Sequence, residues 1–277
     1  MRYLLRSKSA LTGLMLIGIL ILVAIFADLL APHDPYEMDI WNSYHAPDGV
    51  GGEYILGTDD MGRDVLSRIL VGSRISLLIA VTATGVSLVF GVILGAIAGY
   101  AGGPVDALIM RIMDLILAFP SILLAIAIVA TLGPGVINAM FAVAIVRIPA
   151  MTRVTRSMVL GLKEEEFVMA GHALGLTNRR ILFRHILINS FAPILVVASL
   201  NMGTAITTEA TLSFLGLGAQ PPVISWGRML ALGREAIRTA PHLTLYPGLA
   251  IVFTVLGFNL LGDGLRDIGD PALRGQK

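Results

Sequence analysis

The sequence predicts an all-α integral membrane protein of about six transmembrane helices, and three observations carry that prediction. Of 277 residues 56% are hydrophobic, only 14% are charged, and mean hydropathy is +0.82. A soluble domain carries about 25% charged residues. The apolar residues gather into runs of the length, about 20 residues, that a helix needs to cross a hydrocarbon core of roughly 30 Å. Glycine and proline cluster between neighbouring runs, at Gly102-Gly103-Pro104 and Gly133-Pro134-Gly135.

The first span, residues 10–30, follows Arg2, Arg6 and Lys8 as a signal peptide would. Its apolar run is long and no small-x-small cleavage site precedes Pro32, so it reads as a retained anchor. Beyond it, eight acidic residues lie between Asp34 and Asp64. Residues 57–68 read as a surface-lying helix that starts near Gly62, capped by Thr58, Asp59 or Asp60. Arg63, Asp64 and Arg68 would take its wet side and Val65, Leu66, Ile69 and Leu70 the apolar side. This helix either simply feeds the second span, or presents Asp59, Asp60, Arg63 and Asp64 to an external partner; capping and amphipathicity favour the first reading.

The second, third and fourth spans are residues 75–98, 105–130 and 136–151, the fourth being the shortest. Tight turns at the two Gly-Pro clusters separate them, because proline removes a backbone donor and glycine accepts φ values other residues avoid. The fifth and sixth spans are residues 190–210 and 245–261. The chain thus divides into an anchor span with its external segment (1–74), the main transmembrane domain (75–265) and a C-terminal tail (266–277). Basic residues resist translocation and so mark the cytoplasmic side. With both termini inside, only Arg63, Arg68, Arg74, Arg228, Arg234 and Arg238 fall outside, and residues 161–189 are cytoplasmic.

That stretch is a polar, basic, amphipathic island between spans. Phe167, Ala170, Leu174 and, past Gly175, Ile181, Leu182, Ile186 and Leu187 recur at near-helical spacing. Acidic Glu164 to Glu166 precede and Arg179, Arg180 and Arg184 follow, as the helix dipole favours. Gly175, with Thr177 or Asn178 as a cap, predicts two short helices meeting at a bend. Periodicity alone allows either a helix pair lying on lipid head groups or a docking site for a soluble partner.

Four ionisable residues sit at or near bilayer depth: Arg111, Asp114, Arg147 and Glu209. Each costs roughly 2.5 to 3.5 kcal/mol at a span centre and must face a partner or water. Arg111 and Asp114, three apart, can neutralise one another, and Arg147 can snorkel from near a span end. Glu209, among Thr204, Thr207, Thr208 and Thr211, either lines a path for a cationic group or satisfies freed backbone or a neighbouring arginine. Asp114 and Thr208 are further path candidates.

Several chemistries are excluded. Zero cysteines remove disulfides, thiolate metal sites and cysteine nucleophiles. No histidine is followed by glutamate and no Gly-Lys pair occurs, so neither the His-Glu-x-x-His zinc motif nor an ATP-binding P-loop is present. No metal site is expected. A passive channel would not need the 161–189 island.

The island resembles the EAA loop of binding-protein-dependent ABC importer permeases, with Met169, Ala170, Gly171 and Gly175 at the matching positions. The family's glutamate, second alanine and closing proline are missing; Ile188 stands where the proline is expected. Other segments extend the resemblance over nearly the whole chain: LAPHDPY after the first span, GTDDMGRDVLSRILVGSRISL from Gly57, LSFLGLGAQPP from Leu212, SWGRML from Ser225 and YPGLAIVFTVLGFNLLGDGLRDIGDP from Tyr246. They resemble the C-type permease subunit of dipeptide, oligopeptide and nickel importers. The resemblance implies a coupling helix seated in a cytoplasmic ATPase, formed by Glu166, Phe167, Met169, Ala170, Gly171, Leu174, Gly175, Arg179, Arg180 and Arg184. The three arginines would meet acidic groups on the ATPase or anionic lipid. It also implies a second, related permease, one or two kinds of ABC ATPase that hold ATP and magnesium, an external substrate-binding protein and no nucleic acid. Cargo would be short peptides, with nickel complexes or glutathione as alternatives, moved by alternating access across a bacterial-type inner membrane.

Overall fold

The structure is a computed structural model that describes residues 8–269; Arg2, Arg6 and the tail from 270 on lie outside the described residues. Its helices are α1 (Lys8–Ile25), α2 (Ala27–Leu30), α3 (Val65–Ala101), α4 (Gly103–Leu117), α5 (Ser121–Leu132), α6 (Val136–Lys163), α7 (Glu166–Ala173), α8 (Asn178–Ile181), α9 (Leu187–Phe214), α10 (Trp226–Gly233) and α11 (His242–Gly269). A π-helical turn, Leu182–Ile186, joins α8 to α9, so residues 178–214 form one continuous helix. Among the described residues the single β feature is an isolated bridge between Thr58 and Asp64.

Among the described residues five helices are long and apolar enough to cross a membrane, and the count is six if α4 and α5 together make one crossing. The predicted third span, 105–130, is therefore not a straight rod: it bends by 87° between α4 and α5. Pro120 explains the break, since its ring cannot continue a helix and it disfavours helical geometry at Phe119. The second, fourth and fifth spans are longer than predicted: the second begins at Val65, the fourth ends at Lys163 and the fifth, expected at 190–210, is part of the helix over 178–214. Hydropathy detects the lipid-facing part of a helix, and these three continue past it into polar sequence.

The tightest contact joins α3 and α6. Gly91, Gly95 and Gly99 stand one turn apart on α3, facing Met151, Thr152 with Thr155, and Arg156 with Val159. A Cβ on Gly95 would come within 2.5 Å of the Thr152 carbonyl oxygen. Small residues at this spacing let two membrane helices approach backbone to backbone, where packing must replace the hydrophobic effect. The main core combines Leu77, Ala80 and Ala83 of α3 with Ala139, Ala142 and Val143 of α6, Ala205 and Ile206 of α9, and Phe258 of α11. α1 packs antiparallel on α11, with Gly13 against Leu261 and Gly264 against Ala10.

One end of this bundle carries the start of α1, the turn after α3, and α7 and α8. At the other end a second core of Val65, Ile224, Trp226, Met229 and Leu243 joins the start of α3 to α10 and α11. Trp226 is 1% exposed and its indole N–H donates to the Ile69 carbonyl at 3.0 Å.

Candidate functional site

Residues 164–189 leave α6 and turn back into the helix that becomes α9. Lys163 donates to the Tyr100 carbonyl and the Tyr100 hydroxyl donates to Asn178 Oδ1, both at 3.1 Å, tying the segment to the end of α3. Between these ties α7 is seated by Val168, 1% exposed, which packs in a small core with Ala96, Val159, Ile181 and Ile186. α7 ends in a Schellman motif: Gly175 N–H donates to the His172 carbonyl at 2.9 Å and Leu176 N–H to the Gly171 carbonyl at 3.1 Å. Gly175 holds φ at +76°, as the motif requires, and Leu176 lies over Gly171.

The bend at Gly175 is where the sequence places it, but three details differ. Phe167, Ala170 and Leu174 form the outward face, not the seated one: Phe167 is 41% exposed, Met169 56% and Leu174 81%. Periodicity finds an apolar stripe without showing which side has a partner. Gly171 is buried against Leu176 and Ile181, so Ala170 alone of that pair is open to another surface. No second short helix follows the bend, because α8 continues into α9, and Thr177 takes the N-cap position without a side-chain cap bond. Glu166, Arg179, Arg180 and Arg184 are all exposed, so the end of the molecule presents an apolar patch edged by charge. Val168 and Tyr100, which hold this face, carried no sequence signal beyond being apolar or aromatic.

At membrane depth Asp114 pairs with Arg153 at 2.6 Å and not with Arg111. Asp106 takes both ends of the Arg156 fork at 2.5 Å, so two ion pairs clamp α4 to α6. Glu209 is 1% exposed; Ser213 Oγ donates to its Oε1 at 2.7 Å, and the facing α10 brings Gly227 close to Ala210 and Ser213. Its carboxylate is therefore packed inside the chain and does not line an open path. Arg147 does not snorkel. Its guanidinium crosses to α9 and donates to Thr204 Oγ1 and, at 3.0 Å, to Thr208 Oγ1.

At the opposite end no surface helix starts near Gly62: the segment is a loop up to Asp64, and residues 65–68 are already the first turn of α3, capped not by Thr58, Asp59 or Asp60 but by Asp64, whose side chain accepts from Ser67 N at 2.7 Å. Asp59 is the hub of that loop. Its Oδ1 accepts from Met61 N and Arg63 N, while its Oδ2 takes Arg63 Nε at 2.7 Å and lies 3.4 Å from Arg68 Nε. Asp64 and Arg68 are 2% and 4% exposed, so neither lies on a wet face; Asp60, 3.3 Å from Arg63, is the more open partner. Nearby on α10, burial holds the Arg228 guanidinium below its usual range, and Arg63 adds to that effect. No group of three or more His, Asp or Glu suited to a metal occurs among the described residues.

Two family models match the chain: residues 91–275 fit the binding-protein-dependent transport system inner membrane component, and residues 1–47 fit the N-terminal TM domain of oligopeptide transport permease C. A dipeptide transport system permease protein of Alkalihalophilus pseudofirmus is 51% identical over 97% of this chain and 88% of its own length. A di/tripeptide transport system permease protein of Pseudomonas aeruginosa is 44% identical over 97% of this chain and 89% of its own. A glutathione transport system permease protein of Pectobacterium atrosepticum is 45% identical, covering 99% and 90% respectively. Among solved structures, the MetNI methionine ABC transporter in an inward-facing conformation aligns with a TM-score of 0.59 at 15% identity, over 75% of this chain and 95% of that one. That likeness shows the fold.

Proposed function

The chain belongs to the C-type permease subunits of the dipeptide and oligopeptide family of binding-protein-dependent ABC importers, and from that premise we propose that its cargo is short peptides. As a multi-pass inner-membrane permease it works with an ATPase and a substrate-binding protein. The observation that carries the peptide reading is 51% identity, over almost the full chain, to a permease named for dipeptides. Glutathione is the second reading, favoured by relatives 45% identical over 98% or more of this chain, and it is itself a tripeptide derivative.

In this reading both termini and α7 face the cytoplasm, as the basic residues favour. The exposed patch of Phe167, Met169, Ala170 and Leu174 then seats in a groove of the ATPase, and Arg179, Arg180 and Arg184 meet acidic groups at its rim. The Schellman turn supports this, because a short helix must be stiffly joined to a span if it is to move that span. A second, related permease completes the path, and ATP and magnesium bind in one or two kinds of partner ATPase. Closure of the ATPases on ATP favours the outward-facing state and hydrolysis resets it. Proteoliposomes that hold the whole complex test the proposal: a loaded binding protein should drive ATP-dependent uptake of a labelled dipeptide. Uptake of glutathione with none of dipeptide would move the assignment to the second reading.

A further inference from the structure

Two cations in the membrane-spanning part, Arg111 and Arg147, have no anion among the described residues; Arg111 is exposed on α4, whereas Arg147 is half-buried between α6 and α9. Among the described residues Arg147 forms no ion pair, whereas Arg153 and Arg156 of the same helix each hold an aspartate. It sits about 16 Å from the start of α6 and about 24 Å from its end, at 1.5 Å per residue, so neither helix end is within easy reach. What holds it is neutral. Thr204 Oγ1 donates its proton to the Asn201 carbonyl at 3.1 Å and Thr208 Oγ1 to the Thr204 carbonyl at 2.8 Å. Each hydroxyl has then used its one proton on its own helix and offers lone pairs to the guanidinium. Thr207 and Thr211 bond their own helix in the same way, and Thr204 and Thr207 are exposed. Arg147 thus borders a polar strip of α9 at a depth where lipid tails would leave it unsolvated.

We infer that Arg147, held by Thr204 and Thr208, receives the C-terminal carboxylate of the peptide in transit. The inference rests on the peptide reading above and names a residue that contacts cargo within it. A free carboxylate is the one anion that every unmodified peptide carries whatever its side chains. The guanidinium fork matches it in shape, and only one N–H of each terminal nitrogen is used by the threonines. A neutral cradle also suits passage, because it positions the cation without a fixed counter-charge to displace, and the anion is held firmly enough to enter yet can leave. Glu209 does not compete, being packed toward Ser213, and Asp114 is taken by Arg153.

The test uses the complete complex in proteoliposomes, with the same dipeptide offered as free acid and as C-terminal amide, each at a concentration that saturates the binding protein. Arg147→Gln should cut uptake of the free acid about tenfold and leave the amide unchanged, the effect of losing one charge-assisted pair. Arg147→Lys should restore most of the difference. Equal loss for both cargoes, or loss of the partner permease on purification, would make Arg147 a counter-ion inside the assembly and overturn the inference. Wild-type uptake of the free acid by Arg147→Gln would overturn it too. A wild-type complex that imports neither dipeptide fails at the peptide reading itself, before any variant is compared.

Discussion

Gly175 holds a left-handed turn in open space: no atom lies within 4 Å of where its Cβ would be. A β-branched residue there meets no neighbour and strains only the backbone, by about 1–3 kcal/mol, relieved if the Schellman turn opens. Gly175→Val should therefore reach the membrane at near-normal abundance and lose most uptake, with the ATPases released or no longer stimulated by cargo; pull-down and ATPase assays separate these. Ala170→Trp, on the exposed face, should weaken the ATPase contact without disturbing Val168. Full uptake in both variants would leave residues 164–189 as a lipid-lying segment. Asp59 is the contrasting case, since its carboxylate joins Arg63 and Arg68 with side chains 12% and 5% exposed. Asp59→Ala strands Arg68 and leaves Arg63 only the more open Asp60, and should cost about 3–5 kcal/mol, seen as a lower melting temperature in detergent. Unchanged melting would mean the hub is dispensable. The sequence marked Asp59, Asp60, Arg63 and Asp64 as notable and left two roles open; the contacts made by Asp59 and Asp64 are internal. Which side chains meet across a loop depends on backbone closure, which no spacing rule supplies.

The α3–α6 pair shows how an element can be read and still be underdetermined. Both helices were legible as apolar runs, yet the ridge of Gly91, Gly95 and Gly99 acquires meaning only when Thr152 and Thr155 are seen opposite it. Gly95→Leu should force the helices apart and sharply reduce folded permease, by several kcal/mol if the clash cannot relax, as over-packing of a tight interface does. Fluorescence-detected gel filtration would report it, and a normal monodisperse peak would show that the interface yields. The kink at Pro120 was readable in principle, because proline inside an apolar run signals a break. The extension of α6 to Lys163 was not, since its final turns carry Arg153, Arg156 and Lys163, and only their partners Asp106, Asp114 and the Tyr100 carbonyl make them welcome there.

For the whole molecule, orientation is the property most open to test. Acidic residues gather on the 31–64 side and basic ones around 147–184, which predicts opposite faces of the membrane. In intact cells a membrane-impermeant thiol reagent should label a cysteine introduced at Asp48 and spare one at Asn178. Both positions are exposed and each gives up one side-chain hydrogen bond, so labelling is read on variants that retain uptake, and the reverse pattern would invert the topology. Alone, the purified chain should neither bind nor hydrolyse ATP, while the assembled complex should hydrolyse it faster with loaded binding protein; hydrolysis by the isolated chain would contradict the absence of a P-loop.

Composition and periodicity determined by themselves that this is a helical membrane protein, which stretches form its crossings though not where those helices end, and that the segment around Gly175 bends. Those properties depend on the solvent each stretch prefers and on local backbone preference, both of which a linear sequence carries. The tertiary structure alone decided which face of α7 is free, that Glu209 is enclosed while Arg147 is cradled by Thr204 and Thr208, and that Asp114 belongs to Arg153. These are choices among partners brought together from distant parts of the chain. Helical spacing limits the faces on which a residue can point, but only packing fixes what it meets there.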